Sequence, residues 1–274
     1  MTMDESLDRR RFLRDAGVGA AIGAAAALTA CGRAPTAEEL AKLTGTSKVS
    51  AAEPMGAPQG PGQHTLPPLP YAKDALVIND PANPKIKGIS AQVVTWHHDT
   101  HQAGYVKALN EIETDLAAIP KITAAPNYSQ AGELKRRETF NASGMILHEL
   151  YWLNLCAGGA PRADTMSVSA KLAADFGSLA RWQEDFVATA NTPNAGWAIL
   201  ALAPYDGKLH NYACQFHDMG GVWGTVPIVA LDVWEHAYYF DYGPDRGSYV
   251  SSVLRLLNWP WIEERYAKAA RSLA

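Results

Sequence analysis

Apolar positions along the chain change their period twice. From Gly88 to Ile119 they recur at helical spacing, with Val94, His97, Tyr105, Leu109, Ile112 and Leu116 on one stripe, which predicts a long helix with room for a kink. A second helix is expected over Asn141–Leu155, and two shorter ones over Ser167–Ala190, divided at Phe176-Gly177. The period then shortens. Trp197–Leu202, Leu209–Phe216 and Val226–Leu231 read as strands, the first two joined by the turn Pro204-Tyr205-Asp206-Gly207. Helix returns over Tyr249–Ser272. The order predicts an α+β protein. An N-terminal helical hairpin domain over residues 65–160 is followed by a C-terminal domain over 161–274, a small antiparallel three-stranded sheet surrounded by helices.

The chain before residue 65 has a different texture. Residues 31–64 are rich in Ala, Pro, Gly, Thr and Gln without apolar periodicity, the composition of a flexible tether. Residues 1–30 carry Arg9-Arg10, then Phe12-Leu13, then a weakly apolar run from Ala16 to Ala30. That run is short of the ~20 residues a membrane-spanning helix needs. The segment resembles a twin-arginine export signal peptide. Leu28-Thr29-Ala30-Cys31 resembles a lipoprotein cleavage box. The resemblance implies cleavage before Cys31, lipidation of its thiol, and a soluble domain anchored to a membrane in the exported cell envelope or periplasm. Gly32 after Cys31 carries no inner-membrane retention signal. The twin-arginine route moves folded proteins, so a metal could be loaded before export.

Composition narrows the classes of function. With 47% hydrophobic and 19% charged residues among 274, the chain can bury a sizeable core. A net charge of −4 gives no basic footprint for nucleic acid. The three cysteines form no C-x-x-C pair; Cys156 and Cys214 could bridge or remain separate buried thiols.

Eight histidines carry the candidate chemistry. His97, His98 and His101 fall on the first long helix, His148 on the second, and His236 follows Asp232 after the third strand. Singly each has an ordinary reading, such as a hydrogen-bonded core residue or an ion pair. Jointly, three imidazoles and a carboxylate form a mixed N/O donor set. Catalytic zinc generally takes three protein ligands, whereas four of this kind lean toward iron or manganese.

At these residues the chain resembles the iron/manganese superoxide dismutases. The matching stretches are His64 to Leu76, Trp96-His97-His98-Asp99-Thr100-His101 with Tyr105-Val106, and Phe140-Asn141 through His148 to Tyr151-Trp152. The most specific is Asp232-Val233-Trp234-Glu235-His236-Ala237-Tyr238-Tyr239, followed by Asn258-Trp259 and Arg265-Tyr266. The resemblance implies a single Fe or Mn ion, iron favoured, held by His97, His148, Asp232 and His236, with a fifth position for water or hydroxide. It implies superoxide as substrate, converted to dioxygen and hydrogen peroxide. Tyr105 and His101 would stand at the substrate entrance, with Trp152, Trp197 and Trp234 as an apolar wall. It also implies a homodimer, with a tetramer open, in which Glu235 meets the partner subunit's His236 and Tyr239 meets the partner subunit's His101.

Departures from the pattern are informative. Family members commonly place a Gln beside the solvent, yet the helix position that could supply it is Gly144, and the strand-side position is His217. His217 can hydrogen-bond as Gln would, but it can also titrate. Thr100 and Gln102 replace a Lys and a His, leaving Arg246 as a candidate entrance cation. An insertion over Asn79–Lys87 lengthens the loop before the first helix. Two rival readings follow: an exported, non-catalytic metal-binding lipoprotein on the same fold, and a hydrolytic zinc protein.

Overall fold

A computed structural model describes residues 60–273 apart from 121 and 124. The signal peptide expected over 1–30, Cys31, and the tether up to residue 59 lie outside the described residues. The last residues before the domain are held in place. Gly62 N–H donates to Glu113 Oε2 at 2.7 Å and His64 N–H to Asn110 Oδ1 at 2.7 Å. His64 Nε2 lies 3.0 Å from both Glu113 oxygens.

The long helix expected over Gly88–Ile119 is helical from 91 to 118 but not uniform. It comprises α1 (Ala91–Trp96), a π-helical turn (His97–Gln102) and α2 (Ala103–Ala118). Ser90 Oγ caps its start by accepting from Val93 N–H. The wider π turn sits on the histidine motif and buries His97, His98 and Gln102 together.

The next helix, α3, spans Gln130–Leu153 and so begins eleven residues before the expected Asn141. Its first three turns bury little beyond Ala131 and Leu134, which is why apolar periodicity did not reveal them. Ser129 Oγ accepts from Gly132 N–H, and Glu133–Arg136 and Lys135–Glu138 pair along the exposed face. Helices α2 and α3 form the N-terminal hairpin.

Beyond it, α4 (Ser167–Phe176) and α5 (Leu179–Ala190) are divided where expected. Gly177 at φ 86° closes the first, and Ser178 caps the second. The strands β1 (Trp197–Ala203), β2 (Lys208–Cys214) and β3 (Val226–Asp232) form an antiparallel sheet in the order β2-β1-β3. All seven residues of β1 are buried, as suits a central strand covered on both faces. β2 stops at Cys214 rather than Phe216, because Gln215 N–H turns back to Met219 O. The β1–β3 register slips at Leu200/Ala201, beside Pro227, which has no amide to offer the ladder.

The C-terminal helical expectation, Tyr249–Ser272, needs correction. Helix begins earlier and breaks twice, giving α6 (Glu235–Tyr242), α7 (Arg246–Arg255) and α8 (Trp259–Leu273). Gly243-Pro244 ends α6, and Asp245 caps α7 by accepting from Ser248 N–H. The second break spans 256–258, with Pro260 in the first turn of α8. The loop over 79–87 before α1 is tied down by Arg255 on Asp80 at 2.8 Å and by Lys87 N–H on Tyr242 Oη at 3.2 Å.

A continuous core joins both halves, from Val93, Tyr151 and Trp152 to Trp197, Leu200, Val229 and Tyr249. Cys156 and Cys214 are both free thiols. No helix among the described residues is long and apolar enough to cross a membrane.

Candidate metal centre

Four elements each deliver one side chain to a common point. The π turn brings His97, α3 brings His148, the end of β3 brings Asp232, and the first turn of α6 brings His236. One ligand atom from each lies within 4.8 Å of the others. His97, His148 and Asp232 are fully buried and His236 partly so.

Asp232 organises the cluster. Its Oδ1 accepts Trp234 N–H at 2.8 Å, which turns Oδ2 toward the imidazoles. His97 Nε2 stands 3.1 Å from Oδ2, His236 Nε2 3.3 Å and His148 Nε2 3.5 Å. His148 Nδ1–H donates to Gly144 O at 2.6 Å, so the neutral ring presents a bare lone pair at Nε2. That atom and His97 Nδ1 are buried without a hydrogen-bond partner.

Burial holds His97 down to about 4 and His148 well below the usual imidazole range. Burial would raise Asp232, but His236 and His97 beside it hold it well below the usual carboxylate range. Neutral imidazoles and an ionised carboxylate are the ligating forms. The bare Nε2 lone pair of His148 faces Asp232 Oδ2 at 3.5 Å, and the two repel unless a cation lies between them. The donor set therefore fits a metal, and three N with one O suits iron or manganese.

Aromatic rings enclose the centre. Trp152 lies edge-on to His97 at 4.9 Å, Trp197 to His148 at 5.0 Å, and Trp234 stacks against His236 at 6.1 Å. His101, half-buried, stacks on His236 at 4.1 Å. Burial, then the nearby His236, lowers its pKa. Tyr105 lies 5.1 Å from His148, and burial raises its phenol far above the usual range. His217 completes the group, 4.6 Å from Tyr105 and 5.7 Å from His148. Its Nδ1 accepts Trp197 Nε1–H at 2.9 Å, while its Nε2 is buried without a partner. In the neutral ring Nε2 therefore carries the proton. Burial keeps the ring neutral, with a pKa lowered to about 4.

Gly144 has a steric role. A Cβ there would come within 2.9 Å of Tyr105 Cγ, so the missing side chain makes room for the phenol. Arg246 donates to Pro193 O, Asn194 O and Tyr238 Oη, which commits its donors to a neighbouring loop and ring. Glu235 is exposed and Tyr239 half-exposed, and the exposed rings of Trp96 and Phe240 meet edge to face at 5.0 Å.

Three residues escaped the sequence reading as contributors. Gln102 Oε1 accepts Trp152 Nε1–H at 2.9 Å, Phe140 packs 4.6 Å from His217, and Tyr151 lies 5.2 Å from His97. For Phe140 and Tyr151 the available signal was their place within the matched motifs, and for Gln102 its departure from the pattern beside His101.

Comparison with known proteins shows the family. Residues 63–156 match the family model for the alpha-hairpin domain of iron/manganese superoxide dismutases, and 164–265 match the model for their C-terminal domain. "Superoxide dismutase [Mn] 1" of Halobacterium salinarum is 43% identical over 208 residues, covering 76% of this chain and 97% of that protein. "Superoxide dismutase [Fe]" of Aquifex pyrophilus is 34% identical over 214 residues, 77% of this chain and 95% of that protein. "Probable superoxide dismutase [Fe]" of Bacillus subtilis is 34% identical over 209 residues, 76% of this chain and 70% of that protein. With both domains matched in order, the chain belongs to the iron/manganese superoxide dismutases, oxidoreductases acting on superoxide.

Proposed function

We propose that this superoxide dismutase holds one iron or manganese ion per subunit on His97, His148, Asp232 and His236, works as a homodimer, and is exported and lipid-anchored through Cys31. The observation that carries the ligand assignment is the convergence of four ligand atoms within 4.8 Å, with the His148 Nε2 lone pair buried and met by no hydrogen-bond donor. An ion held there would supply the electron store by which one superoxide becomes dioxygen and a second, with two protons, becomes hydrogen peroxide.

The protein's residues supply position, dryness and protons. Trp234 N–H fixes the carboxylate of Asp232, and Gly144 O fixes the tautomer of His148. Trp152, Trp197 and Trp234 wall the pocket against bulk water. Tyr105 keeps its phenolic proton at neutral pH and can pass it toward peroxide. The Nε2–H of His217, buried without a partner, serves as donor to solvent in the pocket. His101, stacked on His236, borders the substrate's approach.

His217 is the ground for favouring iron, while the relatives of higher identity carry manganese in their names. The exposed, mutually touching rings of Trp96 and Phe240, with Tyr239 exposed next to Phe240 in the chain, support a dimer contact that covers them. Export and anchoring rest on Arg9-Arg10, the Ala16–Ala30 run and Cys31.

The test is metal content together with superoxide dismutation, measured on protein purified from its own envelope. Iron or manganese near one per chain with dismutation far above the free ion is expected. Stoichiometric zinc, or activity no greater than the free ion, would refute the reading. Cys31→Ser should release the protein into the soluble fraction with its activity intact.

A further inference from the structure

We propose that Asn154 is a positioning residue of the metal centre. It ties the helix that carries His148 to the strand that carries Asp232, and so sets how those two side chains meet. The proposal rests on the assignment of both as ligands.

Asn154 directly follows α3, six residues after His148, and is fully buried. A buried amide must find partners, and both ends of this one do. Its Nδ2 donates to Tyr151 O at 3.0 Å, within the last turn of its own helix. Its Oδ1 accepts Ala230 N–H at 2.7 Å. Ala230 lies on β3, two residues before Asp232, and β3 is an edge strand whose outward amides need partners from outside the sheet. One side chain thus spans the two halves of the fold between two ligand-bearing elements.

Backbone bonds stiffen the same joint. Asn258 N–H donates to Asn154 O at 2.9 Å, and Cys156 N–H to Leu256 O at 2.9 Å. Neither bond touches β3; the Asn154 side chain bonds it directly to His148's helix, beside the indirect relay from Tyr151 Oη through Tyr249 Oη to Asp232 O. Ligand distances that matter to a metal are set within ~0.2 Å. A slip of β3 by a few tenths of an ångström would open the 3.5 Å approach of His148 Nε2 to Asp232 Oδ2. Leucine has similar bulk but leaves Ala230 N–H unpaired. Asparagine alone of the two offers a donor and an acceptor in one plane.

An ordinary core residue would contribute stability and nothing else, and the experiment separates the two. The full chain is loaded with manganese, and three things are measured: its visible absorption, its rate of metal loss to EDTA, and its melting temperature. Leu172→Ala, in the core on α4, is the control that lowers melting temperature away from the centre. Asn154→Ala should shift the visible band and release manganese about tenfold faster. Leu172→Ala should leave band and release as in the wild type. An unshifted band with wild-type release in Asn154→Ala, or an equal change in Leu172→Ala, overturns the proposal. If Asn154→Ala fails to fold, Asn154→Ser, whose hydroxyl is too short to reach Ala230, carries the same comparison. His148→Ala is run beside them. Retention of manganese with an unchanged band in that variant would instead sink the ligand assignment.

Discussion

Gly144→Ala adds one methyl group to α3 and tests how closely the centre is packed. The new Cβ would stand 2.9 Å from Tyr105 Cγ, 3.0 Å from Cδ1 and 3.2 Å from Cδ2. Carbon atoms prefer roughly 3.5–4.0 Å, so the ring must retreat by about 0.6 Å or the helices must part. Retreat is hindered, because the ring's neighbours are His217 at 4.6 Å, His148 at 5.1 Å and Phe140 at 6.0 Å. Overpacking of this kind costs about 1–3 kcal/mol. Alanine in a helix interior offsets that by about 1 kcal/mol relative to glycine. The net loss is up to about 2 kcal/mol, or a melting temperature lower by up to about 8 °C in a domain of this size. Activity is the sharper readout. A misplacement of about 1 Å can cost a hundredfold, so a shift of about 0.6 Å at Tyr105 should cost about tenfold in kcat. The bond from His148 to Gly144 O is a backbone bond that alanine preserves, so metal content should not fall. The assay is pulsed superoxide decay on metal-quantified protein, with a thermal melt alongside. A variant that melts about 1 kcal/mol higher and dismutes at the wild-type rate would show that Tyr105 has room, and the packing argument would fail.

Other perturbations separate the roles of neighbouring groups. His217→Gln keeps an acceptor for Trp197 Nε1–H and should leave the fold intact while changing rate and metal preference; an unchanged potential and rate would remove His217 from the site. Asp232→Asn should weaken metal binding by at least about a hundredfold, since a neutral amide replaces the charged ligand. Metal retained after dialysis against EDTA checks this, and wild-type retention would take Asp232 out of the ligand set. For the apoprotein, burial lowers His97 and His217 to about 4, so the unfolded chain takes up protons first as pH falls below about 6.5. Stability is therefore full above that value and is lost as pH drops toward about 4, by roughly 3 kcal/mol per histidine, and an apo melting temperature flat from pH 7 to pH 4.5 would refute it. Glu113→Gln should hasten proteolysis near residues 60–66 without lowering the melting temperature by more than a few degrees, as befits a partly exposed pair worth about 1 kcal/mol or less.

The site was legible in the sequence to the extent that its residues announce themselves by type and spacing. His97, His148, Asp232 and His236 stand in motifs matched in order, and the strands carrying Trp197 and Asp232 show as apolar runs. What escaped depends on relations between elements. The first turns of α3 are polar, so their helicity comes from a Ser129 cap and charge pairs rather than from a buried stripe. The divisions at Gly243-Pro244 and before Pro260 were written in breaker residues, but the apolar spacing ran across the second of them. The π turn is the deeper case. On a regular helix His97 and His101 share a face, and the pair reads as a clip for one ion. The wider turn instead buries His97 beside Asp232 and leaves His101 half-exposed, stacked on His236. Periodicity assumes a constant turn, so it cannot see the place where the turn changes. Nor can it see Tyr105 settling against Gly144, because the reason for that glycine is a ring thirty-nine positions away. A residue whose purpose is to be absent, or to join two elements, leaves no trace in the element that carries it. Such positions must be argued from contacts, and in this protein they surround the four side chains that the sequence itself makes plain.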